Sequence, residues 1–138
     1  MEKTIDLVLS YDTDIPIYEQ LYDQVSAQIL KDGIAAHNPL PPIRTVAREL
    51  RISIIPVKRA WEELERNGFI YTIAGKGCFV APHDTGELVK KRDDIALAKM
   101  REDIAYYRSL GLSKKEILTM AEQCIRYDAS PTDDKNKK

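Results

Sequence analysis

The sequence predicts a mainly α-helical fold carrying one small β-hairpin, and three observations predict it. Apolar residues recur at helical spacing early in the chain, as in Ile17, Leu21, Val25 and Ile29. The period shortens to two in a stretch ending at Val80, where β-prone runs flank Ala74-Gly75-Lys76-Gly77. Beyond it, two more amphipathic helical patterns are separated by Gly111.

The first helix is expected over 17–31. Pro16 suits its first turn, where no intrahelical donor is lost, and Gly33 follows as a stop signal. The uncharged span 34–43 contains Pro39, Pro41 and Pro42 and reads as a loop. A short helix over 44–50 then turns Val46, Ala47 and Leu50 inward. Ile52-Ser53 makes the turn into a helix over 54–67, where Val57, Ala60, Trp61 and Leu64 form the buried stripe. Trp61 is expected to pack in the core against the hairpin formed by 69–73 and 78–80.

From 85 to 127 the pattern is helical again. Leu97, Met100, Ile104 and Tyr107 are spaced three and four apart, the seam spacing of a helix that pairs with another helix. Ser113-Lys114-Lys115-Glu116 is a capping box for the next helix, whose apolar face is Ile117, Met120, Ala121 and Cys124. Two amphipathic helices outside the main core need a partner surface, and a second copy of the same pair is the simplest one. The polar stretch 129–138 is expected to be a disordered tail.

Composition narrows the function classes. Apolar residues make up 43% and charged residues 31%, as in a soluble folded protein. No apolar run approaches the roughly 18 residues needed to cross a bilayer, and 1–6 lacks the marks of a signal peptide. Cys78 and Cys124 lie far apart and match no metal-ligand spacing. A cytoplasmic location with free thiols, no membrane and no cofactor is expected. His37 and His83 have no ligand partner at helical spacing, and no phosphate-binding glycine loop follows a strand. Catalysis is not expected.

The net charge of −1 hides a segregation. Residues 1–43 carry a net of −5, residues 44–76 a net of +3, and residues 77–138 a net of +1. The positive stretch coincides with the two short helices and the hairpin, which together read as a winged helix-turn-helix. A modest positive field there suits phosphate contact, although a mixed solvated surface has the same composition.

In that reading the helix over 54–67 enters the major groove of double-stranded DNA with its N-terminal residues near base edges. Lys58 and Arg59 lie on its polar side, within reach of phosphates or a guanine edge. Arg44 opens the preceding helix, which crosses the backbone and sets the register. Gly75 and Lys76 form the wing tip, where missing side chains let the backbone approach DNA. Each of these residues is also compatible with a solvated surface position.

The motifs Pro16-Ile17-Tyr18-Glu19-Gln20, Leu40-Pro41-Pro42-Ile43-Arg44, Ala60-Trp61-Glu62-Glu63-Leu64, Gly68-Phe69-Ile70 and Gly75-Lys76-Gly77-Cys78-Phe79-Val80 carry a resemblance. Residues 16–80 resemble the winged helix-turn-helix domain of the GntR family of bacterial transcription regulators. The two-helix tail resembles the YtrA subfamily, whose members lack a large effector domain, dimerise through C-terminal helices and often accompany ABC transporter genes. The resemblance implies a regulator with 1–82 as the DNA-binding domain and 83–128 as a helical dimerisation region. It also implies a homodimer on a palindromic operator, a repressor rather than an activator. A small-molecule effector, if one exists, would sit between dimer helices or near His83.

The chain departs from the family pattern at several positions. Pro42 replaces the usual serine, and Arg51 replaces the usual glycine before the turn. The start of the recognition helix, usually polar, reads Ser53-Ile54-Ile55-Pro56. Ser53 fits the N-cap, but Pro56 lacks a donor and biases Ile55 away from helical angles, so the helix is expected to begin one or two residues late. Ile54 and Ile55 offer contact with thymine methyl groups in place of hydrogen bonds. Alternatively, they fit a winged helix that binds a partner protein.

Overall fold

A computed structural model describes residues 4–128. The chain divides into two compact units, Met1–Lys90 and Lys91–Lys138. The stretch 129–138, expected to be a disordered tail, lies outside the described residues.

The first unit contains α1 (Ile17–Asp32), α2 (Ile43–Leu50), α3 (Ile54–Arg66), β1 (Ile70–Ile73), β2 (Gly77–Val80) and the start of α4 (Thr85–Ser109). Leu21, Val25 and Ile29 of α1 meet Val57, Ala60, Trp61 and Leu64 of α3 in one core, closed by Val46, Ala47, Phe69, Ile70 and Val80. The stripes are the ones the spacing predicts. Gly33 ends α1 in the left-handed region at φ 61°, a conformation glycine adopts without a Cβ clash. Arg51 occupies the same region at φ 57° after α2, which explains why glycine is usual at this turn. An L-residue there carries strain on the order of 1–2 kcal/mol.

The late start expected for α3 is not what forms. The helix begins at Ile54, with Ser53 at the N-cap in extended geometry. Pro56 is tolerated because it sits at the third helical position, where the N–H would have no intrahelical acceptor. The N-cap expectation holds in position only. Ser53 makes no side-chain capping bond, and Pro56 removes one of the two N–H donors, N2 and N3, that such a cap could use.

β1 and β2 pair antiparallel, Ile70 opposite Val80 and Ile73 opposite Gly77. Gly75 at φ 79° and Gly77 at φ 117° supply the backbone angles of the tight turn. The proline-rich connector is a loop, as predicted, yet it also extends the hairpin. His37 N–H donates to Val80 O at 2.7 Å, Val80 N–H to Asn38 O at 2.9 Å and Leu40 N–H to Cys78 O at 2.9 Å.

The residues before α1 hold a feature that helical periodicity did not show. Gln20, Gln24 and Gln28, one turn apart, each grip the backbone of the preceding segment. Asp6 N–H donates to Gln28 Oε1 at 3.1 Å, Val8 N–H to Gln24 Oε1 at 2.9 Å and Ser10 N–H to Gln20 Oε1 at 2.9 Å. The three amides donate back to Asp6 O, Val8 O and Ser10 O. The alternate residues Ile5, Leu7 and Leu9 pack on the core.

In the second unit, α4 runs on to Ser109 and Gly111, at φ 89°, separates it from α5 (Lys114–Tyr127). The capping box forms as read: Glu116 N–H donates to Ser113 Oγ at 3.2 Å, and Ser113 N–H donates to Glu116 Oε1 at 3.0 Å. Those bonds hold the Glu116 carboxyl below its ordinary pKa. Neither helix buries a residue.

Candidate nucleic-acid interface

The outward side of α3 is set by its inward side. With Val57, Ala60, Trp61 and Leu64 buried, Ile55, Lys58, Arg59 and Glu62 share the opposite face and are all exposed. Ile54 joins them at the helix start. All seven cations of the basic stretch are exposed: Arg44, Arg48, Arg51, Lys58, Arg59, Arg66 and Lys76. Of these, Arg66 is held by Glu63 at 2.7 Å.

Two of the expected contact residues differ in how they are presented. Among the described residues Lys58 has no ion-pair partner. Arg59 instead lays its guanidinium over the Tyr18 ring, 3.6 Å from the centroid, so α1 restricts its reach. No local pattern signals this contact, because the two residues lie on different helices.

Arg44, Gly75 and Lys76 belong to a second cluster. They line a groove of about 450 Å³ between the start of α2 and the hairpin, with Leu40, Ile43 and Trp61 among its walls. α2 begins after Pro42 with no side-chain cap and no acidic residue in its first turn, so its free N–H groups favour an anion nearby. The structure therefore brings Arg44 to the wing tip, whereas Ser53, Ile54, Ile55, Lys58 and Arg59 lie outside this groove along α3.

The wing is fixed to α3 by a contact that sequence reasoning missed. Glu65 accepts from Thr72 N–H at 3.0 Å and from Thr72 Oγ1 at 3.2 Å. His37, read as an ordinary surface residue, is exposed but sits at φ 70°, with its Nδ1 2.6 Å from Tyr71 Oη. Tyr71 in turn stacks on Phe79. Trp61 is buried as expected, and its Nε1 has no partner among the described residues. On the other side of α3, Tyr22 meets Phe69 edge-on and accepts from Asn67 Nδ2 at 3.0 Å, while burial raises its phenol pKa.

A helix-turn-helix with an exposed, cation-bearing second helix and a glycine wing rigidly tied to it defines a DNA-binding transcription regulator. The chain belongs to the GntR family: the description "Bacterial regulatory proteins, gntR family" matches residues 17–80. Over 101 residues it is 30% identical to the HTH-type transcriptional repressor YtrA of Bacillus subtilis, spanning 72% of this chain and 78% of that protein. Among solved structures, a GntR family transcriptional regulator from Listeria monocytogenes has a TM-score of 0.64 at 26% identity, covering 82% of this chain and 98% of that one. YtrA from Sulfolobus acidocaldarius, a GntR-family transcription factor, has a TM-score of 0.51 at 26% identity, covering 70% and 99%. The match is thus YtrA-like as well as GntR. No helix among the described residues is long and apolar enough to cross a membrane.

Proposed function

We propose that the protein is a cytoplasmic, non-enzymatic repressor that binds a palindromic operator as a homodimer. In this reading 1–82 contact DNA and 83–128 hold two copies together. The observation that carries the DNA contact is the exposed face of α3, where Lys58 has no ion-pair partner among the described residues, together with a separate groove lined by Arg44 and Lys76. α3 lies in the major groove, and Arg44, Gly75 and Lys76 follow the adjoining backbone. The YtrA relative is named a repressor, which favours that sign of regulation.

The dimer rests on the second unit. Leu97, Met100, Tyr107 and Met120 are 47%, 57%, 37% and 46% exposed, and Ile104 and Ile117 are half-buried. Cys124 is exposed beside them. A second copy of the same helices would cover this apolar surface.

Selection from random duplexes tests both parts. The expected product is a palindrome with half-site centres about one helical turn apart. If a dimer neutralises about 6–10 phosphates, log affinity falls against log salt with a slope of roughly −5 to −9. Failure to enrich any sequence refutes the operator reading. The exposed Ile54 and Ile55 favour a second reading, a winged helix that binds a partner protein. That reading expects no salt-dependent retention on duplex DNA.

A further inference from the structure

We propose that this protein selects thymine through its 5-methyl group, using Ile54 and Ile55 as the reading side chains. The inference rests on α3 docking in the major groove. Ile54 is 46% and Ile55 73% exposed, and neither belongs to the core or to the residues packed against it. Folding of the chain therefore does not account for two large aliphatic side chains at the tip of the helix.

The local geometry leaves few other ways to read a base there. Because α3 begins at Ile54, both isoleucines lie on the first helical turn, the part that approaches base edges. Pro56 follows and has neither a side-chain polar atom nor an N–H. Between Ser53 and Lys58 no side chain carries a hydrogen-bonding group. Ile55 lies one turn before Lys58 and Arg59 on the same face, so cations sit immediately beside the apolar tip. That combination fits the major groove, where a pyrimidine methyl lies between phosphate rows. A protein partner would have to match the tip and also neutralise the cations around it.

Thymine alone among the four standard bases presents a methyl group in the major groove. The reader should therefore distinguish thymine from uracil, and 5-methylcytosine from cytosine, because each pair differs only in that methyl. A side chain that reads hydrogen-bonding edges would treat the members of each pair alike.

The experiment uses the full chain and an operator taken from duplex selection. Each thymine is replaced in turn by deoxyuridine, and affinity is measured by fluorescence anisotropy. Loss of one buried methyl contact is expected to weaken binding about fourfold at one or two positions per half-site. At those positions 5-methylcytosine should bind about fourfold better than cytosine. Ile54→Ala and Ile55→Ala should bind more weakly, with an unchanged salt slope, and should no longer respond to deoxyuridine. Specific binding with no effect of deoxyuridine at any thymine overturns the methyl reading and leaves DNA binding intact. Wild-type affinity in both variants overturns it as well. Should either variant melt abnormally, the base replacements on the unaltered protein decide alone. If no duplex is bound, the docking and the methyl reading fall together.

Discussion

Replacing Lys58 by alanine isolates the contribution of one unpaired cation on the exposed face of α3. The side chain has no ion-pair partner among the described residues and lies opposite the buried Val57, Ala60 and Trp61, so truncation should leave the fold unchanged. Alanine also favours helix at this position. If Lys58 meets a phosphate, each copy releases about 0.9 of a counterion, and a dimer loses about 1.8 from its log–log salt slope. Extrapolated from 1 M to about 0.15 M salt, that is about 1.5 log units, or roughly a 30-fold loss of affinity. A phosphate contact is blind to sequence, so operator and unrelated duplex should weaken by similar factors. Anisotropy titrations at four or five salt concentrations give both slope and intercept. An unchanged slope, or a loss confined to the operator, would refute the assignment of Lys58 to phosphate. Arg59 provides the contrast, since its guanidinium is stacked on Tyr18. Arg59→Ala is expected to lower the slope by less than Lys58→Ala does.

Three further outcomes are expected. Gln24→Ala removes two hydrogen bonds to Val8, and water can partly replace them, so the loss should be about 1 kcal/mol in denaturant unfolding, with faster hydrogen exchange at Val8. Replacing both Ile104 and Ile117 by glutamate should give monomers in light scattering and abolish tight operator binding while leaving the first unit folded; a persistent dimer would refute the assigned interface. For Glu116 the bonds from Ser113 lower the folded pKa, so their stabilisation is present above the unfolded carboxyl pKa and lost as pH falls through the folded one. Helical content of the second unit should accordingly drop on acidification, and Ser113→Ala, which removes the hydroxyl but keeps the larger contribution from the residue 113 backbone N–H, should weaken that dependence only in part.

Periodicity made the helices and their buried stripes legible, since a helix that must bury one face repeats its apolar residues every three or four positions. Gly33, Gly75 and Gly111 marked chain reversals for the same kind of local reason: each sits at positive φ, where only glycine is free of strain. The capping box at Ser113 was equally local and equally readable. The glutamine clamp on 6–10 left a signal that was there to be found, glutamines at i, i+4 and i+8 behind an alternating Ile5, Leu7, Leu9. Helix spacing alone did not expose it, because the partner is backbone, which has no sequence signature.

What the sequence by itself determined was the order of elements, the core-facing residues and the candidate readers Arg44, Ser53, Ile54, Ile55, Lys58, Arg59, Gly75 and Lys76. Its error at the start of α3 came from weighing the local bias of Pro56 against helix without the surrounding packing. Once Val57 and Ala60 are buried against α1, that packing holds the first turn in place, and a local preference of this size yields to it. Only the tertiary structure decided that Arg59 stacks on Tyr18, that Glu65 ties the wing to α3, and that Arg44 shares a groove with Gly75 and Lys76. These pairings join residues from separate elements, and one sequence carries no record of which distant side chains will meet. Periodicity specifies which face turns inward; the outward face is free to choose its neighbours only after the core has closed.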